Sequence, residues 1–160
     1  MTRGGFIFLM AICICSCQTG KKEAVAGPDL AAERAALMET DRKFSDLSVE
    51  KGMKNAFIEY IDSNGVLLRP NLMPIVGAHA IDYLIQQNDT SYKLNWEPQK
   101  VFVSKSADMG YTYGLYALHP NGIDTVIYGT YVSIWKKQDD GSWKFVLDTG
   151  NEGAEEVNGE

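Results

Sequence analysis

Cysteine is absent from this 160-residue chain after position 17; its three cysteines, Cys13, Cys15 and Cys17, all fall in the first seventeen residues. Disulfides, a cysteine nucleophile and a thiolate metal site are therefore excluded for everything that follows. Histidine is nearly absent too. His79 and His119 stand alone, neither with an acid or a second histidine at ligand spacing, and no His-Glu-x-x-His pattern occurs. The chain also lacks a glycine-rich phosphate loop and a Gly-x-Ser-x-Gly elbow, which removes support for nucleotide binding, cofactor-dependent redox chemistry and serine hydrolysis. No cofactor and no metal are expected. The longest apolar run, Gly5 to Ile14, is about half the ~20 residues that a spanning helix needs.

What that run does fit is a signal peptide: Arg3, a short apolar stretch, then Ile14-Cys15-Ser16-Cys17. Those four residues resemble a bacterial lipobox, in which cleavage precedes the last cysteine and that cysteine is lipidated. The resemblance implies a signal segment over residues 1–16, lipidation of Cys17, and a polar tether over 17–29 that joins a membrane anchor to a domain at 30–151. Two or more acyl chains, at about 0.8 kcal/mol per buried methylene, would hold the protein on a membrane without spanning it. The expected place is the bacterial cell envelope, at the periplasmic or surface face of the outer membrane. Residues 152–160 read as a frayed acidic tail.

Acid exceeds base, 21 residues against 15, and removal of the leader takes Arg3 with it, leaving a net charge near −7. Nucleic acid is thereby disfavoured as a partner. Helical spacing of Leu37, Phe44 and Leu47 predicts a helix over Leu30 to Lys51, closed by Gly52. A second helix is expected at Met53 to Ile61, with a turn at Asp62-Ser63-Asn64-Gly65, a short strand at Val66 to Arg69, and a third helix at Ala78 to Gln87. From Lys93 onward the pattern becomes strands at 94–104, 109–118, 125–137 and 142–149, broken by Pro120-Asn121-Gly122 and Asp139-Asp140-Gly141. Hairpins at those breaks make an antiparallel meander. Both alternations of these strands are apolar: Tyr111, Tyr113 and Leu115 oppose Tyr116 and Leu118. A sheet apolar on both faces needs two covers, and a second copy of the chain is the expected cover for the face the helices leave open.

Helix, helix, short strand, helix and four-strand meander resemble the cone-shaped α+β fold of nuclear transport factor 2, ketosteroid isomerase and the SnoaL-like proteins, with N-terminal helices packed on a curved antiparallel sheet. The local resemblance lies in Glu39 to Phe44, Gly77 to Ile81, Leu94 to Pro98, Asp108 to Gly114, Gly129 to Lys137, Asp140 to Lys144 and Leu147 to Asn151. It covers nearly the whole of residues 32–151 and is nearest to a branch of unknown function. A fold that hosts isomerases, cyclases, dehydratases and plain dimerisation modules transfers little activity by itself.

Asp41 lies on the apolar stripe of the first helix, between Leu37 and Phe44. One reading makes it a desolvated general acid or base facing the cone cavity; the other makes it a hydrogen-bond acceptor that locks helix to sheet. Asp148 is a second candidate catalytic carboxylate. Strict alternation sets it opposite Trp143, Phe145 and Leu147, away from the cavity, unless a bulge reverses the register. Tyr60, Trp96, Tyr113 and Tyr131, in or beside the family-like segments, are the expected pocket lining. Arg69 stands at the end of the short strand, placed either to meet an anionic ligand or to pair with an acid. Three function classes follow: binding of a small amphipathic molecule, cofactor-independent isomerase, cyclase or dehydratase chemistry through Asp41, and a dimeric assembly module.

Overall fold

The computed structural model describes residues 27–154. Its first helix, α1 (Leu30–Lys51), starts at Asp29, whose carboxylate accepts from the backbone amides of Ala31 and Ala32 at 3.0 and 3.2 Å, satisfying donors that the helix leaves open. It ends at Gly52, whose φ of 86° places it in the left-handed region that suits glycine. The buried positions Leu37, Asp41, Phe44, Ser45 and Ser48 form one stripe at helical spacing. Helix α2 (Met53–Tyr60) follows without a break in packing, and Asp89 accepts from its Lys54 amide at 2.8 Å.

The remaining elements are β1 (Ile61–Leu68), β2 (Ile75–Val76), α3 (Ala78–Gln86), β3 (Tyr92–Val103), β4 (Met109–Pro120), β5 (Ile127–Lys137) and β6 (Trp143–Glu152). One six-stranded sheet runs in the order β2-β1-β6-β5-β4-β3. The meander β3 to β6 is antiparallel throughout, while β1 joins β6 in parallel, which closes the first long strand against the last. The architecture is the α+β cone with N-terminal helices on a curved sheet that the sequence implies. Two local expectations change. Asp62 to Gly65 is the start of β1 instead of a turn; Asp62 accepts from the Asn64 amide at 2.9 Å, and the register with β6 breaks between Ile61 and Val66. At the other end β6 extends to Glu152, paired with Gly129, so the ordered sheet passes the expected boundary at Asn151. The cysteines, the expected leader and most of the expected tether lie outside the described residues, as do positions 155–160.

Helices α1 and α2 cover the inner face of the sheet. Phe44 is the hub, with ring centroids of Phe57, Tyr60, Trp96, Trp135 and Phe145 at 4.5 to 6.0 Å. Close approach of α1 needs small residues on β4: a Cβ at Gly110 would lie 2.6 Å from the Leu37 side chain. Gly110, Thr112 and Gly114 therefore face the helix, and Tyr111, Tyr113 and Leu115 take the outer face, where all three are exposed. Phe102 stacks on Tyr111 on that same outer face, their centroids 4.7 Å apart.

Candidate ligand-binding cavity

Asp41 is fully buried, and its environment follows from its place on the α1 stripe facing β3 and β5. Trp96 Nε1 donates to one carboxylate oxygen at 2.8 Å, and the Tyr131 hydroxyl donates to the other at 2.8 Å. Burial pushes the Asp41 carboxyl above the usual carboxylate range; the Trp96, Thr112 and Tyr131 hydrogen bonds pull it back part of the way. The Tyr131 hydroxyl is pushed up in turn, first by burial and then by the negative charge of Asp41. Behind this group Trp135 Nε1 donates to Thr112 Oγ1 at 2.8 Å. Ser45 and Ser48 stitch the same helix to β3, the first accepting from the Trp96 amide at 2.7 Å and the second donating to the Leu94 carbonyl at 2.8 Å.

Asp148 lies on the same inner face, contrary to strict alternation along β6. Between β5 and β6 the partners pass from Ile134↔Leu147 to Trp135↔Phe145, so Val146 is an extra residue, a bulge that turns Asp148 to the side occupied by Phe145. Asp148 is 6 % exposed. Its Oδ1 accepts from Arg69 Nη2 at 2.9 Å and its Oδ2 from the Ser133 hydroxyl at 2.8 Å. Arg69 Nη1 donates to the carbonyls of Leu68 and Asp148 at 3.0 and 3.2 Å, and the guanidinium sits over the Phe57 ring, 5.5 Å from its centroid. Of the two roles open to Arg69, the pairing with an acid is the one the geometry realises.

These two buried carboxylate groups flank an open, largely apolar cavity of about 240 Å³. Trp96, Tyr131, Arg69 and Asp148 line it, while Asp41 stands one shell back, behind Trp96 and Tyr131. Tyr60 and Tyr113 lie elsewhere: Tyr60 packs on Phe44 and borders a separate concavity with Leu47 and Ile58, and Tyr113 is 40 % exposed on the outer face of β4. The wall instead includes Tyr116 and Ser133, which sequence reasoning passed over. Tyr116 lies flat across Gly129, where a Cβ would meet its ring at 2.3 Å, and against Gly150, where the distance is 3.4 Å. The signal for it was available. Gly110, Thr112 and Gly114 mark one alternation of β4 as helix-facing, and Tyr116 belongs to that alternation whereas Tyr113 does not. Among the described residues, no group of three or more His, Cys, Asp and Glu side chains is placed to hold a metal ion.

No protein-family model and no curated protein sequence matches the chain. Solved structures do. A ketosteroid isomerase-like protein from Erwinia carotovora atroseptica superposes with a TM-score of 0.61 at 18 % identity, over 77 % of this chain and 98 % of that one. A nuclear transport factor 2-like protein with a cystatin-like fold from Novosphingobium aromaticivorans gives 0.62 at 16 % identity, covering 82 % of this chain and 86 % of the other. A hexachlorocyclohexane dehydrochlorinase from Novosphingobium barchaimii gives 0.57 at 18 % identity, over 78 % and 88 %. The domain thus has the nuclear transport factor 2-like, ketosteroid isomerase-like fold. At these identities the likeness is one of fold, and the chemistry has to be argued from the cavity itself.

Proposed function

We propose that this domain binds a small, mostly apolar molecule in the cavity between α1, α2 and the inner face of the sheet, and that it does so as a lipid-anchored protein of the bacterial cell envelope. The observation that carries the binding reading is the state of the polar groups around the cavity. Asp41 is hydrogen-bonded by Trp96 and Tyr131, and Asp148 by Arg69 and Ser133, so both carboxylates are already engaged inside the protein. A general base has to come within roughly 2.6–3.2 Å of the proton it takes. Asp41, one shell behind the wall, does not offer that approach, whereas the open apolar space offers burial at about 25 cal/mol per Å² to a fitting ligand.

The test is a titration of the full-length chain with N-phenylnaphthylamine, a neutral fluorescent aromatic whose emission rises in apolar surroundings. One saturable site, blocked by the cavity-filling substitution Leu94→Trp in a chain that still folds, is the expected result; no saturable site would overturn the reading. A catalytic reading has one observation in its favour, the Tyr131 hydroxyl, which bridges Asp41 and the cavity and is placed to pass a proton between them. Its signature is chemical conversion of a bound compound that stops in Tyr131→Phe while binding persists.

Anchoring rests on Ile14-Cys15-Ser16-Cys17. Incorporation of labelled fatty acid in bacteria, lost in Cys17→Ala, is its test. The exposed apolar outer face, with Phe102, Tyr111, Tyr113 and Leu115, supports pairing with a second copy, since a self-complementary face closes as a two-fold dimer.

A further inference from the structure

Resting on that binding reading, we infer that the cavity holds its ligand by an uncharged acceptor oxygen, the carbonyl of a ketone, ester or amide, seated between Arg69 and Tyr116 over Gly150. Two residues of the wall carry protons that the protein itself does not use. A guanidinium has five N–H donors, and Arg69 gives three hydrogen bonds: Nη1 donates to the Leu68 and Asp148 carbonyls, and Nη2 to Asp148 Oδ1. Its Nε–H and second Nη2–H meet no acceptor among the described residues. The Tyr116 hydroxyl meets none there either.

Strand order brings the two together. β6 lies between β1 and β5, and Asp148 and Gly150 are successive inner-face positions on it. Arg69, just past the end of β1, reaches Asp148 from one side. Tyr116 arrives from β4 on the other: its ring crosses Gly129 of β5, and a Cβ at Gly150 would stand 3.4 Å from that ring. With no side chain at position 150, the floor between them is bare backbone, and all three residues line the cavity. A guanidinium has no acceptor atom, so a polar group that engages Arg69 has to bring a lone pair. Charge decides that this oxygen is neutral. Arg69 is already matched by Asp148 at 2.9 Å, and Glu152 adds a second carboxylate to the wall without a second cation. A carboxylate ligand would share Arg69 with a buried aspartate, whereas a carbonyl takes the spare N–H and the Tyr116 O–H and leaves the ion pair as it stands.

Acetophenone, ethylbenzene and benzoate share a ring and differ in the head alone. Their affinities for the full-length chain at pH 7 are read by displacement of N-phenylnaphthylamine, in the wild type and in Tyr116→Phe, which keeps the ring over Gly129 and loses only the hydroxyl. Tyr116→Phe should weaken acetophenone about fivefold and leave ethylbenzene within about twofold, the difference that one hydrogen bond makes. Acetophenone, and not ethylbenzene, should shift the NMR signal of the Arg69 Nε–H. Benzoate should bind at least about tenfold more weakly than acetophenone. Equal losses for acetophenone and ethylbenzene in Tyr116→Phe, or an Arg69 signal that acetophenone leaves in place, would overturn the acceptor seat. Benzoate bound as tightly as acetophenone would overturn its uncharged character. If none of the three displaces a dye that still binds, the inference falls alone. If the dye finds no saturable site, the binding reading falls with it.

Discussion

Replacing Asp41 by alanine and, separately, by asparagine measures what a buried carboxylate does for this fold. Alanine removes the acceptor for Trp96 Nε1 and for the Tyr131 hydroxyl, both bonded at 2.8 Å to a residue with no solvent exposure. Each orphaned buried donor costs about 1–3 kcal/mol, so Asp41→Ala should lose roughly 2–6 kcal/mol, a large part of the ~5–15 kcal/mol that holds a typical domain together. Asparagine keeps an oxygen for Trp96 and offers an N–H to the Tyr131 oxygen, so it should lose about 1 kcal/mol or less at neutral pH. The pH dependence supplies a second readout. Burial raises the folded Asp41 carboxyl above its unfolded value of about 3.9. Folding therefore favours the protonated form, and this contribution to stability is complete below about pH 4 and declines as pH rises through the folded pKa. Asparagine is neutral throughout, so Asp41→Asn should gain on the wild type as pH goes from 4 to 8. Urea unfolding followed by tryptophan fluorescence at several pH values measures both quantities. An alanine variant as stable as the asparagine variant, or a difference between asparagine and wild type that does not change with pH, would refute the account of Asp41 as a desolvated, hydrogen-bonded anchor.

Gly129→Ala should destabilise by about 2–3 kcal/mol and weaken N-phenylnaphthylamine binding, because its Cβ would stand 2.2 Å from the Asn151 carbonyl and 2.3 Å from the Tyr116 ring. Gly150→Ala, whose nearest neighbour would be the Thr130 carbonyl at 3.3 Å, should cost much less, and thermal melting of the pair checks the contrast. Arg69→Ala leaves Asp148 buried without its cation; because the guanidinium keeps some solvent contact, the loss should sit toward the lower end of the ~3–5 kcal/mol typical of breaking a buried pair, measured as a shift in urea midpoint. If the proposed pairing through the outer face holds, Tyr111→Asp combined with Tyr113→Asp should turn the dimer into a monomer in sedimentation velocity without unfolding the chain, since both side chains are on the exposed outer face, and a wild-type monomer would refute the pairing.

The helices and the meander were legible because their patterns are periodic and their ends are marked. Gly52 closes α1, and Pro120-Asn121-Gly122 and Asp139-Asp140-Gly141 mark the hairpins. The beginning of β1 was not, since Asp62-Ser63-Asn64-Gly65 has turn composition and is carried along in the strand because the residues on either side of it, Ile61 and Val66, pair with Phe145 and Leu147 of β6, about eighty residues away. Position mattered as much as residue type at the cavity. Asp41 could be placed from the helical stripe alone, and Trp96 and Tyr131 from their segments. The direction of Asp148 depends on the extra residue Val146, and a bulge of that kind has no signature in side-chain chemistry. Tyr113 and Tyr116 are indistinguishable by composition; the small residues that alternate with one of them tell the two apart.

The parallel pairing of β1 with β6 also bears on how the protein is made. Arg69 and Asp148 are separated by 79 positions, and Leu67 meets Asp148 across the same junction. A ribosome that has released α1, α2 and β1 has produced Phe44, Met53 and Phe57 of the cavity wall and none of the strand that completes it. The hairpins β3–β4 and β4–β5 can zip as they emerge, because their partners are neighbours in the chain. The β1 edge stays unpaired on its β6 side until the last strand has left the exit tunnel. Whatever the cavity receives, it receives only from a finished chain, and loss of the final strand would remove the binding site and the closure of the sheet in a single stroke.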